Sequence, residues 1–285
     1  MVICRRFKVT VEKQILYLLS KVEQLEGKKI ISIYEARNYT PQSIRNMLSK
    51  LKKEKFITSP ERSVYAITTY GRDFITTIER TENFYQHRWN NKWYMILTEI
   101  PETERKKRDA FRRQLIQLGF GQLYNSVYIY PWNLTNKVLN MIDTLEIEEY
   151  VTILVSDEFL LNKVHNQGAK GPNEAARIWD LERIHNIYRE KLDWIKNEYE
   201  PKLHPYLKEN LQDPLKLFIF YLEIQEVLDM LLAEDPMLPP EFLPTSWLGT
   251  RALAHITKIQ ASLVHLIPSD SFYHQFLTSV DNNDI

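Results

Sequence analysis

Gln42, Arg45 and Asn46 stand within about one helical turn of each other in the stretch Thr40-Pro41-Gln42-Ser43-Ile44-Arg45-Asn46. Glutamine, arginine and asparagine are the side chains that can pair two hydrogen bonds with the edge of an adenine or a guanine. Lys50, Lys52 and Lys53 follow on the same stretch, and Arg62 stands in the turn Ser59-Pro60-Glu61-Arg62-Ser63. Such cations meet phosphate oxygens, which position a protein on a duplex without reading its sequence. The residues expected to touch DNA are therefore Thr40, Gln42, Ser43, Arg45, Asn46, Lys50, Lys53 and Arg62. An ordinary amphipathic helix with a solvated charged face would show the same residue types. The turn before it, the hairpin after it and the local charge balance favour DNA.

Other chemistry is thinner. Glu99 ends an apolar stretch and is followed by Pro101 and Glu102. Two copies of the chain could bring two Glu99 carboxylates together around Mg²⁺, which takes oxygen ligands. One carboxylate is little to build a nuclease on, so no metal site and no cofactor are expected. The seven histidines include His255, His265 and His274, too far apart for a helical metal-binding pair. No HExxH, nucleophile motif or phosphate-cradling glycine loop occurs. The run Arg105–Arg113 is a second possible phosphate surface, but Glu102, Glu104 and Asp109 are spaced to neutralise it as helical partners.

Around the first set, Val11 to Leu25 reads as a helix ended by Gly27. Ile30 to Arg37 reads as a strand end or bridge leading to a second helix. Thr40 and Pro41 then open the helix Pro41–Lys55, the first as cap, the second at a position where its missing N–H does no harm. Ile44, Met47, Leu48 and Leu51 form its inner face. Phe56–Thr58 and Val64–Thr68 flank a turn and make a hairpin. Three helices and a hairpin read as a winged helix-turn-helix, whose recognition helix enters the major groove. Gly71 to Arg80 continues as a helix.

Lys92 to Asn133 is the best-patterned part of the chain. Trp93–Ile100 is aromatic and β-branched and stops at Pro101. Glu102–Leu118 puts Phe111, Leu115 and Leu118 at helical spacing with Ala110 beside them, and Gly119 stands at the stop position. Gln122–Tyr124 and Ser126–Tyr130 follow as short strands, then a helix from Leu134 to about Leu145 and a strand Tyr150–Val155. The order β-α-β-β-α-β is ferredoxin-like. One face of such a sheet carries two helices. The other, with Trp93, Tyr128 and Tyr130 near it, is expected to be bare and to pair with a second copy.

The remainder is helical: Glu174–Tyr199 as one long helix, the very apolar Lys216–Ala233, Gly249–Leu266, and a last short one at Ser271–Val280. The glycine-containing NQGAKGPN (166–173) and the proline-rich Asp235–Trp247 connect them. The fold class is α+β, with a winged helix-turn-helix at 1–81, a ferredoxin-like dimerisation domain at 82–160 and a helical effector domain at 161–285.

The totals agree with several domains in one soluble chain: 285 residues, 44% hydrophobic, 26% charged, 37 basic against 37 acidic side chains. The zero balance hides an asymmetry of +8 in residues 1–90 and −8 in residues 157–285, with 91–156 neutral. Basic and acidic ends on one chain suggest that only the first meets nucleic acid. Cys4, the single cysteine, excludes an internal disulfide and suits a reducing cytoplasm. No apolar run approaches the roughly 20 residues that cross a bilayer, so neither a membrane partner nor a signal peptide is expected.

The chain resembles the PaaX-like repressors, named for the regulator of phenylacetic acid breakdown in bacteria. The residues that carry the resemblance are Trp89 and Trp93, Gly119-Phe120-Gly121 with Pro131, Ala175-Ala176-Arg177-Ile178-Trp179-Asp180-Leu181, and Asp235-Pro236, Leu238-Pro239, Leu243-Pro244, Trp247 and Gly249. Arg45, Leu48, Leu51, Tyr65, Thr68 and Gly71 match more loosely. The resemblance implies a winged helix domain, a middle domain similar to the small CRISPR-associated nucleases and a helical C-terminal domain. It also implies a homodimer that represses transcription, with double-stranded DNA as partner and an acyl-coenzyme A as effector. Cationic groups for the phosphates and aromatic groups for the acyl part would come from Arg177, Trp179, Arg183, Trp247, Arg251 and His255. Regulation by a protein partner, without a small ligand, stays open alongside.

Overall fold

The structure, a computed structural model, describes residues 11–78, 84–157, 175–208 and 213–277. Cys4 and the segment 166–173 lie outside them. The chain groups into two compact units, one containing residues 81–190 and 231–250, the other 5–80, 191–230 and 251–285.

In the second unit, α1 (Val11–Ser20) buries Ile15, Leu16, Leu18 and Leu19. It stops at Ser20, short of the expected Leu25. Leu25–Glu26 forms the short strand β1, and Gly27 opens α2 (Gly27–Glu35) where it was expected to close α1. The reason is tertiary: the Gly27 N–H donates to Ser63 O at 2.7 Å, so the hairpin captures this segment. Ile30 to Glu35 is accordingly helix, with Ile30, Ile33 and Tyr34 buried, and forms no strand end. Next come α3 (Pro41–Lys53), β2 (Ile57–Thr58), β3 (Val64–Ile67) and α4 (Thr69–Ile78). β3 lies between β1 and β2, antiparallel to both.

Later segments complete this unit. The helix α10 (Pro214–Glu234) buries Leu217 through Leu222 without a break, the mark of a helix surrounded by protein. Lys13 pairs with Asp229 at 3.0 Å. Arg37, its side chain only 8% exposed, pairs with Glu226 at 2.8 Å and donates to Gln14, which itself donates to Leu222 O. On α11 (Gly249–Leu266), Ala252, Leu253, Ile256, Ile259 and Leu263 are buried. The chain beyond it makes a 3₁₀ turn at His274–Phe276, not an α-helix, with Phe276 ring-packed on Phe218.

The expected helix Glu174–Tyr199 is interrupted. α7 (Ala175–Ile178) ends before Asp180, whose φ of 50° is left-handed, a conformation that aspartate tolerates better than most residues. α8 (Leu181–Trp194) then widens into a π turn at Ile195–Tyr199 before α9 (Glu200–Lys208). Pro201 has no N–H for the preceding turn, which accounts for the widening there.

The first unit is built on the sheet β5-β6-β4-β7, with β4 (Trp93–Thr98), β5 (Gly121–Tyr124), β6 (Val127–Tyr130) and β7 (Val151–Ser156), all antiparallel. α5 (Arg105–Leu118) and α6 (Thr135–Leu145) connect them. α5 ends on Gly119, at φ 102°, as its position suggests. One face, with Ile96, Tyr128, Tyr130 and Ile153, packs on Phe111, Leu115, Val138 and Ile142.

Tyr128 and Tyr130 therefore do not border an uncovered face. Their partners across the strand pair are Ile96 and Tyr94, and strand alternation sends them toward the helices. Trp93 does lie on the opposite face, but that face is covered there. Trp179 stacks on Trp93 with ring centres 6.4 Å apart, and Phe242 packs edge-on at 4.9 Å. Met95, Leu97 and Leu154 on this face are half-buried.

The cover is fastened by side chains. Trp179 donates to Gly119 O at 2.9 Å, and a Cβ on Gly121 would lie 2.6 Å from the Trp179 ring. The coil Asp235–Pro239 is fully buried. Tyr130 donates to Pro236 O at 2.8 Å and Trp132 to Met237 O at 2.7 Å. Asp235, 0% exposed, accepts from the Tyr85 hydroxyl at 2.6 Å, from the Tyr188 hydroxyl and from the Met237 N–H at 2.7 Å. The Trp247 indole donates to the Tyr85 hydroxyl at 2.7 Å.

Two stability changes follow. Asp235→Ala leaves three buried donors without their acceptor and lowers the unfolding free energy by about 3 kcal/mol or more, at roughly 1–3 kcal/mol per orphaned group. Gly121→Ala forces a methyl into the Trp179 ring and costs about 1–3 kcal/mol. Denaturant unfolding followed by tryptophan fluorescence measures both, and an unchanged midpoint in either variant contradicts the packing described.

Candidate nucleic-acid interface and central groove

The α3 helix starts where the sequence places it. The Thr40 hydroxyl accepts from the Ser43 N–H at 3.2 Å, Pro41 takes the first helical position, and the Ser43 hydroxyl donates to Thr40 O. Ile44, Leu48 and Leu51 are buried, which fixes the rotation of the helix about its axis. Gln42, Arg45, Asn46, Lys50 and Lys53 are exposed as a consequence. Gln42 donates to Asn46 at 2.9 Å, so the two amides hold each other on the outer face. Lys50 is paired with Glu12 of α1 at 2.9 Å and is half committed inside the protein. Arg45, Lys52 and Lys53 make no ion pair among the described residues. Arg62 is exposed in the turn between β2 and β3, next to Ser63 at φ 60°.

The six residues expected for an effector are divided between the two units. Arg177 is exposed at the end of α7. Trp179 is buried in the cover of the sheet. Arg183 is held by Asp180 at 3.1 Å and Glu234 at 2.8 Å. Trp247 sits against Tyr188 and His185. Arg251 and His255, one turn apart on α11, belong to the other unit, where His255 Nε2 is 3.0 Å from Glu200.

A groove of about 1000 Å³ opens at the Thr98–Pro101 end of the sheet. Arg108 and Arg112 of α5, Tyr128 of β6 and Arg177 line it, with Glu99 and Glu149. Burial pushes the Tyr128 phenol up, while the positive charges of Arg112 and Arg108 act to lower it. Arg108 is held by Glu102 at 2.7 Å. Periodicity alone did not single out this convergence: Arg108 and Arg112 read as part of a solvated face, although their four-residue spacing does place them together. Glu99 is exposed on the groove, its N–H bonded to Tyr150 O at 2.9 Å. Among the described residues no group of three or more His, Cys, Asp or Glu could hold a metal ion. Nor is any helix among them long and apolar enough to cross a membrane.

Comparison with known proteins matches residues 86–170 to the model described as PaaX protein central Cas2-like domain. Residues 179–275 match the PaaX-like protein C-terminal domain. The Transcriptional repressor PaaX of Escherichia coli (strain K12) is 23% identical over 239 residues, which is 78% of this chain and 69% of that protein. A solved structure, the uncharacterized protein Rv0674 from Mycobacterium tuberculosis, superposes with a TM-score of 0.55 at 16% identity, covering 90% of this chain and 97% of that one. At that identity the likeness speaks for the fold.

Thr40→Ala removes the cap of α3 and should cost about 1 kcal/mol, within the range for such substitutions. Thermal unfolding by circular dichroism reads the loss, and Thr40→Asn should recover most of it.

Proposed function

The chain belongs to the PaaX-like family, and from that membership we propose that it is a dimeric, sequence-specific DNA-binding transcriptional repressor, released from its operator by an acyl-coenzyme A effector. It is a regulator rather than an enzyme, and it acts in the cytoplasm. The observation that carries the reading is the outer face of α3, where Gln42, Arg45 and Asn46 stand exposed on a helix with a capped start and a buried opposite side.

In this reading α2 and α3 form a helix-turn-helix and the β2–β3 hairpin is its wing. Residues 1–81 bind DNA, 82–160 dimerise and 161–285 respond to the effector. Arg45, Gln42 and Asn46 meet base edges, while Thr40, Ser43, Lys50, Lys53 and Arg62 meet the backbone. Two copies present two α3 helices about 34 Å apart, or a multiple of that, for successive major grooves on one side of the duplex. Of the residues expected for the effector, Arg177 lines the central groove, and that groove is the effector site in this proposal. An effector releases DNA only by binding the DNA-free state more tightly than the DNA-bound one.

Fluorescence anisotropy with fragments of the protein's own promoter tests the DNA part. Arg45→Ala should relax base preference at one position and cost about 1–3 kcal/mol, whereas Lys53→Ala should weaken all sequences alike and lower the salt slope by about 1. Binding that is equally strong to promoter and to unrelated DNA refutes sequence-specific recognition.

A further inference from the structure

We infer that Glu12 sets the DNA selectivity of α3 by holding Lys50 back from phosphates until the helix seats closely in a groove. This deepens the DNA-binding reading above and rests on it. Lys50 stands one helical turn beyond Asn46, beside the face that carries Gln42, Arg45 and Asn46. Its ammonium lies 2.9 Å from a carboxylate oxygen of Glu12. Carboxylate and phosphate oxygens compete for the same donor, so Glu12 holds the place that a phosphate would take.

The two partners are not equally free. The Glu12 side chain is 18% exposed and that of Lys50 51%. Glu12 lies in the first turn of α1, where a negative charge meets the positive end of the helix dipole. The next two residues fasten that turn. Lys13 pairs with Asp229 at 3.0 Å, and Gln14, 5% exposed, donates to Leu222 O at 3.2 Å and accepts from Arg37. Val11 and Ile15, on either side, are buried. Lysine, by contrast, carries a point charge on a flexible stem. An exchange of partners therefore moves Lys50 and leaves Glu12 where it is.

That exchange has a cost, because a mostly covered carboxylate is left without its cation. A duplex held loosely, by charge alone, does not bring a phosphate near enough to offset it. A duplex whose bases match Gln42, Arg45 and Asn46 draws α3 in and places a phosphate beside Lys50. Arg45, Lys52 and Lys53 make no ion pair among the described residues and are available to any duplex. A protein separates right from wrong partners by costs set against the wrong one as well as by contacts to the right one. Glu12 is such a cost, applied through Lys50, and acts as a positioning residue.

Titrations of the full chain with an unrelated duplex and with its own promoter, repeated over a salt series, test the inference. On the unrelated duplex Glu12→Gln should raise the salt slope by about 0.9, one further phosphate contact, and tighten binding about eightfold near 0.1 M salt. Promoter binding should gain less, so the preference for promoter narrows. The gain should vanish in the Glu12→Gln, Lys50→Gln double variant. Glu54→Gln, which removes an exposed carboxylate at the end of α3, should not reproduce it. Lys50→Gln alone leaves α1 unaltered and reads the same point independently. It should leave the unrelated-duplex slope unchanged, whereas Lys53→Gln lowers it by about 0.9. The inference is overturned if Glu12→Gln weakens binding or leaves the slope as it was, if promoter gains as much as unrelated DNA, if the gain survives loss of Lys50, or if Glu54→Gln matches it. Equal losses from Lys50→Gln and Lys53→Gln on the unrelated duplex overturn it too. A wild-type chain that binds neither duplex removes the DNA reading and this inference together; one that binds with an unaltered Glu12→Gln slope removes only this inference.

Discussion

Asp235 is the constraint on which the sheet-bearing unit depends. A carboxylate with no exposure survives only if its lone pairs are filled, and here two phenols and an amide fill them. Those three donors come from a segment before the sheet, a helix after it and the buried coil itself. One side chain thus fixes three parts of the chain that share no secondary structure. Trp247, donating to the Tyr85 hydroxyl, extends the network by one further bond. The strong upward push that burial and Asp235 give the Tyr85 phenol keeps it a donor across any ordinary pH.

With the coil pinned, the sheet can use its two faces differently. One takes α5 and α6 through an aliphatic and aromatic core. The other takes Trp179 and Phe242 over Trp93, a contact that requires the missing side chain at Gly121. The end of the sheet beyond these two layers is where charged side chains gather. Ordinary packing thereby leaves Arg108, Arg112 and Arg177 around an opening, instead of spreading them over a surface.

The sequence was most legible where local signals and tertiary packing agree. Thr40 and Pro41 announced α3, Gly119 announced the end of α5, and runs of aromatic and β-branched residues located β4, β6 and β7. It was least legible where a distant segment decides. Nothing near Gly27 says that Ser63 will accept its N–H and turn an expected helix end into a helix start. Nothing near Trp93 says that Trp179 and Phe242 will cover it. The break at Asp180 is a left-handed residue inside a periodic apolar pattern, and periodicity alone runs straight through it. For the site, residue type and exposure were readable on α3. The gathering of the groove arginines was not, because it joins a helix face, a strand and a segment more than sixty residues further on.

The nearly buried Arg37, held by Gln14 and by Glu226 of α10, has an implication for portability. The N-terminal helices borrow part of their footing from a helix made long after them in synthesis. Until α10 emerges, Arg37 lacks its anion and Lys13 of α1 lacks Asp229. This head is therefore a poor candidate for grafting onto another scaffold, and a nascent chain cannot finish it early.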